Sequence, residues 1–198
     1  ISLHSVSYAG FFYKGGYVPL EQVMARIKEY GYDGLEIMAK RPHANPLDLN
    51  KEARRRLKEL ADSYGIELAS IAAYNDFSGP EVFKRELNLL YTREVLEMAR
   101  DLEVSTVRVF AAGMGDVDLK VQYWKQWRFC REGLKEASKW AEDYGVTLAL
   151  QNHPPIIESF RDVLDMIDEV GSESLKACID PELLIWVGDI NPYSNQVE

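Results

Sequence analysis

Apolar residues recur at helical spacing in five stretches of the chain. Leu20, Val23, Met24 and Ile27 stand at i, i+3, i+4 and i+7, and Leu57, Leu60, Ala61 and Tyr64 repeat the pattern. A longer stripe starts at Leu87, Leu90 and Tyr91 and continues through Val95, Met98, Ala99 and Leu102. Ala137, Trp140, Ala141 and Tyr144 form a fourth stripe, and Phe160, Val163, Leu164 and Ile167 a fifth. Each predicts a helix with one face turned to a core. Between them lie short runs of strand length, rich in aliphatic and β-branched residues: "ISLHSV" (1–6), "DGLEI" (33–37), "IELASIAA" (66–73), "TVRVF" (106–110), "VTLALQ" (146–151) and "LKACID" (175–180). The alternation of strand and helix implies a parallel sheet with right-handed crossovers and helices packed outside it.

The junctions repeat as well. "EYGYDGLEI", "DSYGIELAS" and "EDYGVTLAL" each set Tyr-Gly between a helix end and a strand start, where glycine takes the left-handed conformation that stops a helix. The repeating unit is about 35–40 residues, the period of a βα unit. Strand-to-helix loops are long: "SYAGFFYKGGY", "MAKRPHANPLDLN", "AYNDFSGP" and "AAGMGDVD". In parallel α/β folds ligands bind at the carboxyl ends of the strands, so these loops mark the working face. No GxGxxG or GxxxxGK[ST] follows a strand, which disfavours a nucleotide-binding open sheet. His4, Glu36, Ser70 and Arg108 interrupt the apolar runs, as the upper layer of a barrel tolerates. The expected fold is α/β, a TIM (β/α)8-type barrel. Such barrels take eight units and about 250 residues, so this chain holds about six of them. It reads as a single domain over 1–198 lacking its last two βα units, after "WVGDINPYSNQVE". Its first residue, Ile1, stands almost inside a strand, as expected of a trimmed chain.

Composition narrows the partners. The chain has 198 residues, 46% hydrophobic and 28% charged, with a net charge of −9. That charge argues against nucleic acid as a partner. The densest basic run, Arg54, Arg55, Arg56 and Lys58, reads as the solvated face of a helix. Cys130 and Cys178 are far apart and match no metal spacing, and Cys178 in its apolar strand reads as a buried thiol. With no signal peptide and no long apolar span, no membrane partner is expected, and the setting reads as reducing and cytoplasmic. Homo-oligomerisation is compatible with all of this.

Polar residues gather near the predicted strand ends: His4; Glu36, then Lys40, Arg41 and His43; Tyr74, Asn75 and Asp76; Arg108; Gln151, Asn152 and His153; Asp180 and Glu182. Acids, imidazoles and guanidinium groups at one rim suit a polar substrate or a metal. Structural roles compete with functional ones. His4 reads equally as a packed, hydrogen-bonded histidine, Glu36 as an ion pair with Arg108, and His43 as a brace for a Pro-rich loop. The aromatics Phe11, Phe12, Tyr13 and Tyr17 read as loop packing or as a stacking wall for a sugar. Asp180 reads most strongly as functional, because a lone acid at the end of an apolar run is costly to bury unless paired or coordinating.

"GYDGLEI", "VRVFAAG", "LALQNHPP" and "CIDPE", in that order and spacing, resemble the xylose-isomerase-like TIM-barrel family of sugar phosphate isomerases and epimerases. "AKRPHANPLDL" and "YNDFSGP" are similar to loops of its sugar isomerase/epimerase branch. The resemblance implies a divalent metal (Mn, Mg, Co or Zn), held by a Glu ending strand five, an Asp ending strand six, a His from strand seven and a Glu from strand eight. Gln151 takes the first position and Asp180 the second, and the other two fall beyond this chain. Many members carry a His where Leu183 stands here. A neutral amide ligates a hard cation more weakly than a carboxylate and cannot act as a base, so Gln151 weakens the expected metal and removes one of two facing carboxylates.

The resulting expectation is a metal-dependent isomerase or epimerase of a sugar or keto-sugar, possibly phosphorylated, acting through an enediolate. His153, Glu182 and Glu36 are the proton-transfer candidates. His4, Arg41, His43, Tyr74, Arg108 and Asn152 are the substrate contacts, and Gln151 and Asp180 the metal ligands. Two alternatives stand beside it: a metal-dependent lyase or hydrolase of an oxidised sugar, and an impaired or incomplete barrel acting as a binding protein. A DNA-repair endonuclease, a more distant relative, needs a three-metal cluster rich in histidine, and the chain has three histidines in all.

Overall fold

The computed structural model describes residues 1–113 and 117–182, and the backbone of 190–191 and 196–197. Leu183 and residues 114–116 of the fourth strand-to-helix loop lie outside the described residues. Strands β1 (Ser2–His4), β2 (Gly34–Met38), β3 (Glu67–Ala72), β4 (Thr106–Val109), β5 (Thr147–Gln151) and β6 (Leu175–Cys178) alternate with helices α1 (Leu20–Glu29), α2 (Lys51–Tyr64), α3 (Val82–Asp101), α4 (Tyr123–Tyr144) and α5 (Phe160–Val170). The six strands follow chain order in one sheet, and β1–β2, β2–β3 and β5–β6 pair in parallel. Two-residue strands β7 (Ile190–Asn191) and β8 (Gln196–Val197) form a separate antiparallel pair that no sequence pattern announced. By compactness the chain divides into two units: residues 1–73, 94–107 and 144–146, and residues 74–93, 108–143 and 147–198.

In the first unit, α1 buries Val23, Met24 and Ile27 completely. At about 1.5–3 kcal/mol for each fully buried aliphatic side chain, this stripe anchors the helix. α2 begins at Asn50, whose side chain accepts the Ala53 N–H at 2.9 Å, and ends at Gly65 with φ of +62°. The Tyr-Gly junction thus adopts the left-handed stop read from the sequence, and Gly145 repeats it at +67°. β1 is shorter than expected. It stops at His4 because Ser5–Tyr8 winds into a 3-10 turn, and the buried Ser5 hydroxyl accepts the Met38 N–H at 2.9 Å.

The basic run on α2 is solvated only in part. Arg55 pairs with Glu52 and Glu59, and Lys58 with Asp62, on the exposed face. Arg54 departs from the expectation: it is buried, donating to Leu49 O at 2.9 Å and to Asp101 Oδ2 at 2.8 Å. Burial raises the Asp101 pKa, but hydrogen bonds from Arg54 and Arg100 outweigh it and hold the carboxyl below its ordinary value.

In the second unit, α4 buries Cys130, Leu134, Ala137 and Ala141. Gly133 on this helix meets Phe77, which is 0% exposed; a Cβ there would stand 2.5 Å from the Phe77 ring. α5 starts at a capping box in which the Ser159 side chain accepts the Asp162 N–H and Asp162 accepts the Ser159 N–H. Its buried line runs through Val163, Met166 and Val170, rotated from the expected one, and Leu164 is 49% exposed. Leu87 and Leu90 on α3 are also exposed, so that helix buries apolar residues only from Val95 onward. Cys178 is half-buried, whereas Cys130 is the buried thiol.

Arg54→Ala leaves the Asp101 carboxylate half-buried without its main partner, and a loss of about 2–3 kcal/mol in urea unfolding is expected. Because the folded Asp101 pKa is depressed, its contribution is present above the unfolded value near 3.9 and disappears as pH falls below it. The wild-type and Arg54→Ala stability curves should therefore converge toward acid. Gly133→Ala drives a methyl into the Phe77 ring and should cost about 1–3 kcal/mol in the same assay.

Candidate active site

Each unit brings part of the predicted rim together. In the first, β1 and β2 set His4 directly opposite Glu36, with His4 Nδ1 3.9 Å from Glu36 Oε2. The other two predicted residues of this unit are engaged with its loops. Arg41 grips Asp48 through Nε and Nη2, at 2.7 and 2.6 Å. His43 is buried; its Nε2 lies 3.0 Å from Val18 O and its Nδ1 3.1 Å from Ser5 Oγ. A carbonyl can only accept, so Nε2 carries the proton and the Ser5 hydroxyl donates to Nδ1. Burial lowers the His43 pKa against the opposing pull of the Val18 carbonyl. Of its two readings, brace and ligand, this is the geometry of the brace.

The second unit holds the denser cluster. β5 ends on Gln151, whose Nε2 donates to Asp180 Oδ2 at 2.7 Å just past β6. The other Asp180 oxygen accepts the Glu182 N–H at 3.0 Å, and the Glu182 side chain is exposed. Asn152 is completely buried, and both its amide atoms meet the Asp180 main chain: Oδ1 accepts the N–H at 2.7 Å and Nδ2 donates to the carbonyl at 3.2 Å. The next residue, His153, donates from Nδ1 to Pro154 O at 2.8 Å. Burial lowers its pKa, and the nearby Arg108 guanidinium adds to the effect; the carbonyls of Pro154 and Ala112 and the Asp76 carboxylate pull the other way.

Phe110 organises the neighbours of His153. Its ring centroid is 4.3 Å from the His153 ring, 6.0 Å from Tyr74 and 4.2 Å from the Arg108 guanidinium carbon. Arg108 also stands 5.1 Å over the Tyr74 ring. Phe110 ends the predicted strand "TVRVF" and stands in the motif "VRVFAAG", but it is not among the candidate site residues that the sequence predicts. The signal was its two-residue spacing from Arg108, which puts both on one face of a strand. Asn75 holds Phe110 as Asn152 holds Asp180, donating to its carbonyl at 2.6 Å and accepting its N–H at 3.2 Å. The Asp76 carboxylate is committed to two loops, accepting from Ser78 N and Ser78 Oγ in its own and from Gly113 N in the loop after β4.

As a cation site, Gln151 and Asp180 offer one carboxylate and one amide. The amide turns its nitrogen to Asp180, whereas a cation between them would require the oxygen. Two donors fall short of the about four to six that Zn, Mg or Mn takes. Among the described residues no group of three His, Cys, Asp or Glu gathers. The described residues therefore do not by themselves fit the divalent ion that the resemblance implies. Nor is any helix among them long and apolar enough to cross a membrane.

Comparison with known proteins places these observations. Fructoselysine 3-epimerase of Escherichia coli O157:H7 is 28% identical over 173 residues, covering 82% of this chain and 62% of that protein. The chain thus spans about three-fifths of the length of the curated relatives it matches. A D-psicose 3-epimerase structure determined with D-fructose superposes with a TM-score of 0.78 at 13% identity, over 96% of this chain and 66% of the other. The D-psicose 3-epimerase of Clostridium cellulolyticum H10, solved with D-tagatose, gives 0.73 at 18%, over 93% and 64%. At such identities the two structures speak for the fold alone. The sequence profile described as xylose isomerase-like TIM barrel matches residues 24–195, and the chain belongs to that family.

Proposed function

We propose that the protein is an isomerase or epimerase of a sugar or keto-sugar, moving a proton at a carbon beside a carbonyl through an enediolate. The observation that carries this reading is the pairing of Asp180 with Gln151 at adjoining strand ends, Gln151 standing two residues before His153. The epimerase named among its relatives supports the substrate class. In this reading His153 takes the proton from the substrate carbon, and the electron pair moves into the carbonyl oxygen. Return of a proton to the opposite face of the same carbon gives the epimer; return to the neighbouring carbon gives the isomer. Arg108, held against Tyr74 and Phe110, supplies positive charge for a hydroxyl, a phosphate or the developing oxyanion. Asp180 and the exposed Glu182 bind or relay protons. In the first unit, the His4–Glu36 couple is a further acid–imidazole pair with the same chemistry available.

One feature favours a second reading, a one-base lyase. Symmetrical epimerisation uses a group on each side of the carbon, and the amide of Gln151 cannot move a proton. Elimination needs one base, with water or hydroxide leaving from the next carbon.

A panel of keto-sugars in deuterium oxide separates the two. Epimerisation or isomerisation places solvent deuterium at one carbon with no loss of mass otherwise, whereas a dehydrated product establishes the lyase. Absence of exchange and of product across the panel, with folded protein, would refute both. His153→Gln is expected to lower kcat by about 10²–10⁴-fold in whichever reaction is found. Gln151→Glu adds a second acid beside Asp180, and titration calorimetry should show tighter Mn²⁺ binding than wild type. Equal affinity would remove residue 151 from any cation site.

A further inference from the structure

We infer that Asn75 and Asn152 are paired positioning residues: each pairs its side-chain amide with the main chain of a residue just past a strand end and so fixes a residue of the candidate site. Asn75 lies in the loop after β3, and Asn152 directly follows Gln151, the last residue of β5. Their geometry is the same. Each is essentially buried, Asn75 at 1% and Asn152 at 0% exposure. Each turns its carbonyl oxygen to an N–H and its amino group to the carbonyl of the same residue, which is Phe110 for Asn75 and Asp180 for Asn152. A side-chain amide has the donor and acceptor of a peptide group, so it pairs with a main chain as a neighbouring strand would.

The places where this happens are informative. β4 ends at Val109 and β6 at Cys178, so Phe110 and Asp180 lie one and two residues past the last strand position. Main-chain pairing of β5 with β6 stops at Gln151–Cys178. Without Asn152 the N–H and carbonyl of Asp180 would lose these partners, and its carboxylate would not be held to Gln151. Without Asn75 the Phe110 ring would be released, and with it the stacking that orients His153 and Arg108. Asn152 thus acts through Asp180 rather than on the substrate. Asn75 acts through Phe110 on His153, which lies far away in sequence.

The test reads position directly. The chain has three histidines, so the ring C–H signals of His4, His43 and His153 are resolvable by ¹H–¹³C NMR. At 4.3 Å from the Phe110 ring centroid, His153 carries a ring-current shift that Phe110→Leu removes and so calibrates. Asn75→Ala and Asn75→Asp should move His153 toward its Phe110→Leu position while His4 and His43 stay in place. A wild-type His153 signal in either folded variant would overturn the inference. In parallel, Asn152→Ala should raise hydrogen exchange at the Asp180 amide by at least tenfold over wild type. Unchanged protection there would overturn it for Asn152, and this arm decides alone if both Asn75 variants fail to fold. The kinetic consequence rests on the proposed function: kcat of Asn152→Ala falls at least tenfold with KM changed less than threefold. Wild-type protein inactive on every keto-sugar would defeat that function and leave the NMR and exchange outcomes to judge the positioning role by themselves.

Discussion

A parallel sheet can present side chains at its carboxyl end only while the main chain there stays paired. Each strand must soon leave the sheet for a helix, and its last N–H and carbonyl groups then face the exit loops. Buried and unpaired, each would cost about 1–3 kcal/mol, and the residue carrying it would wander. This chain meets the difficulty with two asparagine side chains that behave as extra peptide groups. Phe110 and Asp180 are fixed in that way, and the cluster of the second unit depends on them. His153 and Arg108 stack on the first, and Gln151 bonds to the second.

The elements were legible because their signals are local. An apolar residue at every third or fourth position, a run of β-branched residues and a Tyr-Gly stop all lie within a few residues of what they determine. The six strands and five helices therefore fall close to where the pattern put them. What depends on distant partners was less legible. Arg54 looks like its neighbours Arg55 and Arg56, and only Asp101, brought close by folding, makes it a buried ion pair. The stripe on α5 was rotated because Leu164 and Met166 are equally apolar, and only the packed structure shows which one is covered.

The rim was legible in outline for the same reason that ligands collect there: strand ends carry the polar residues. The role of each residue was not. His43 and Asn152 have the chemistry of ligands and the burial of braces, and no sequence pattern separates the two, since both uses call for the same donors and acceptors. Asn75 stood beside Tyr74 and Asp76 as one polar residue among several. Its two bonds to Phe110 span thirty-five positions, a separation at which single-sequence reasoning has nothing to count.

Where the family resemblance implies an acid beside Asp180, this chain carries the amide of Gln151. Two carboxylates with oxygens 2.7 Å apart repel, and they persist only by sharing a proton or a cation. An amide at one of the two positions removes the repulsion and donates a hydrogen bond instead, so the pair is electrostatically satisfied by itself. Any cation arriving there must turn the amide over and break that bond before it gains a ligand. Its affinity is reduced by charge and by an existing partner, with the spacing left intact. Residue 151 thus sets the charge beside the Asp180 carboxylate, while the two bonds from Asn152 to the Asp180 main chain involve no atom of residue 151.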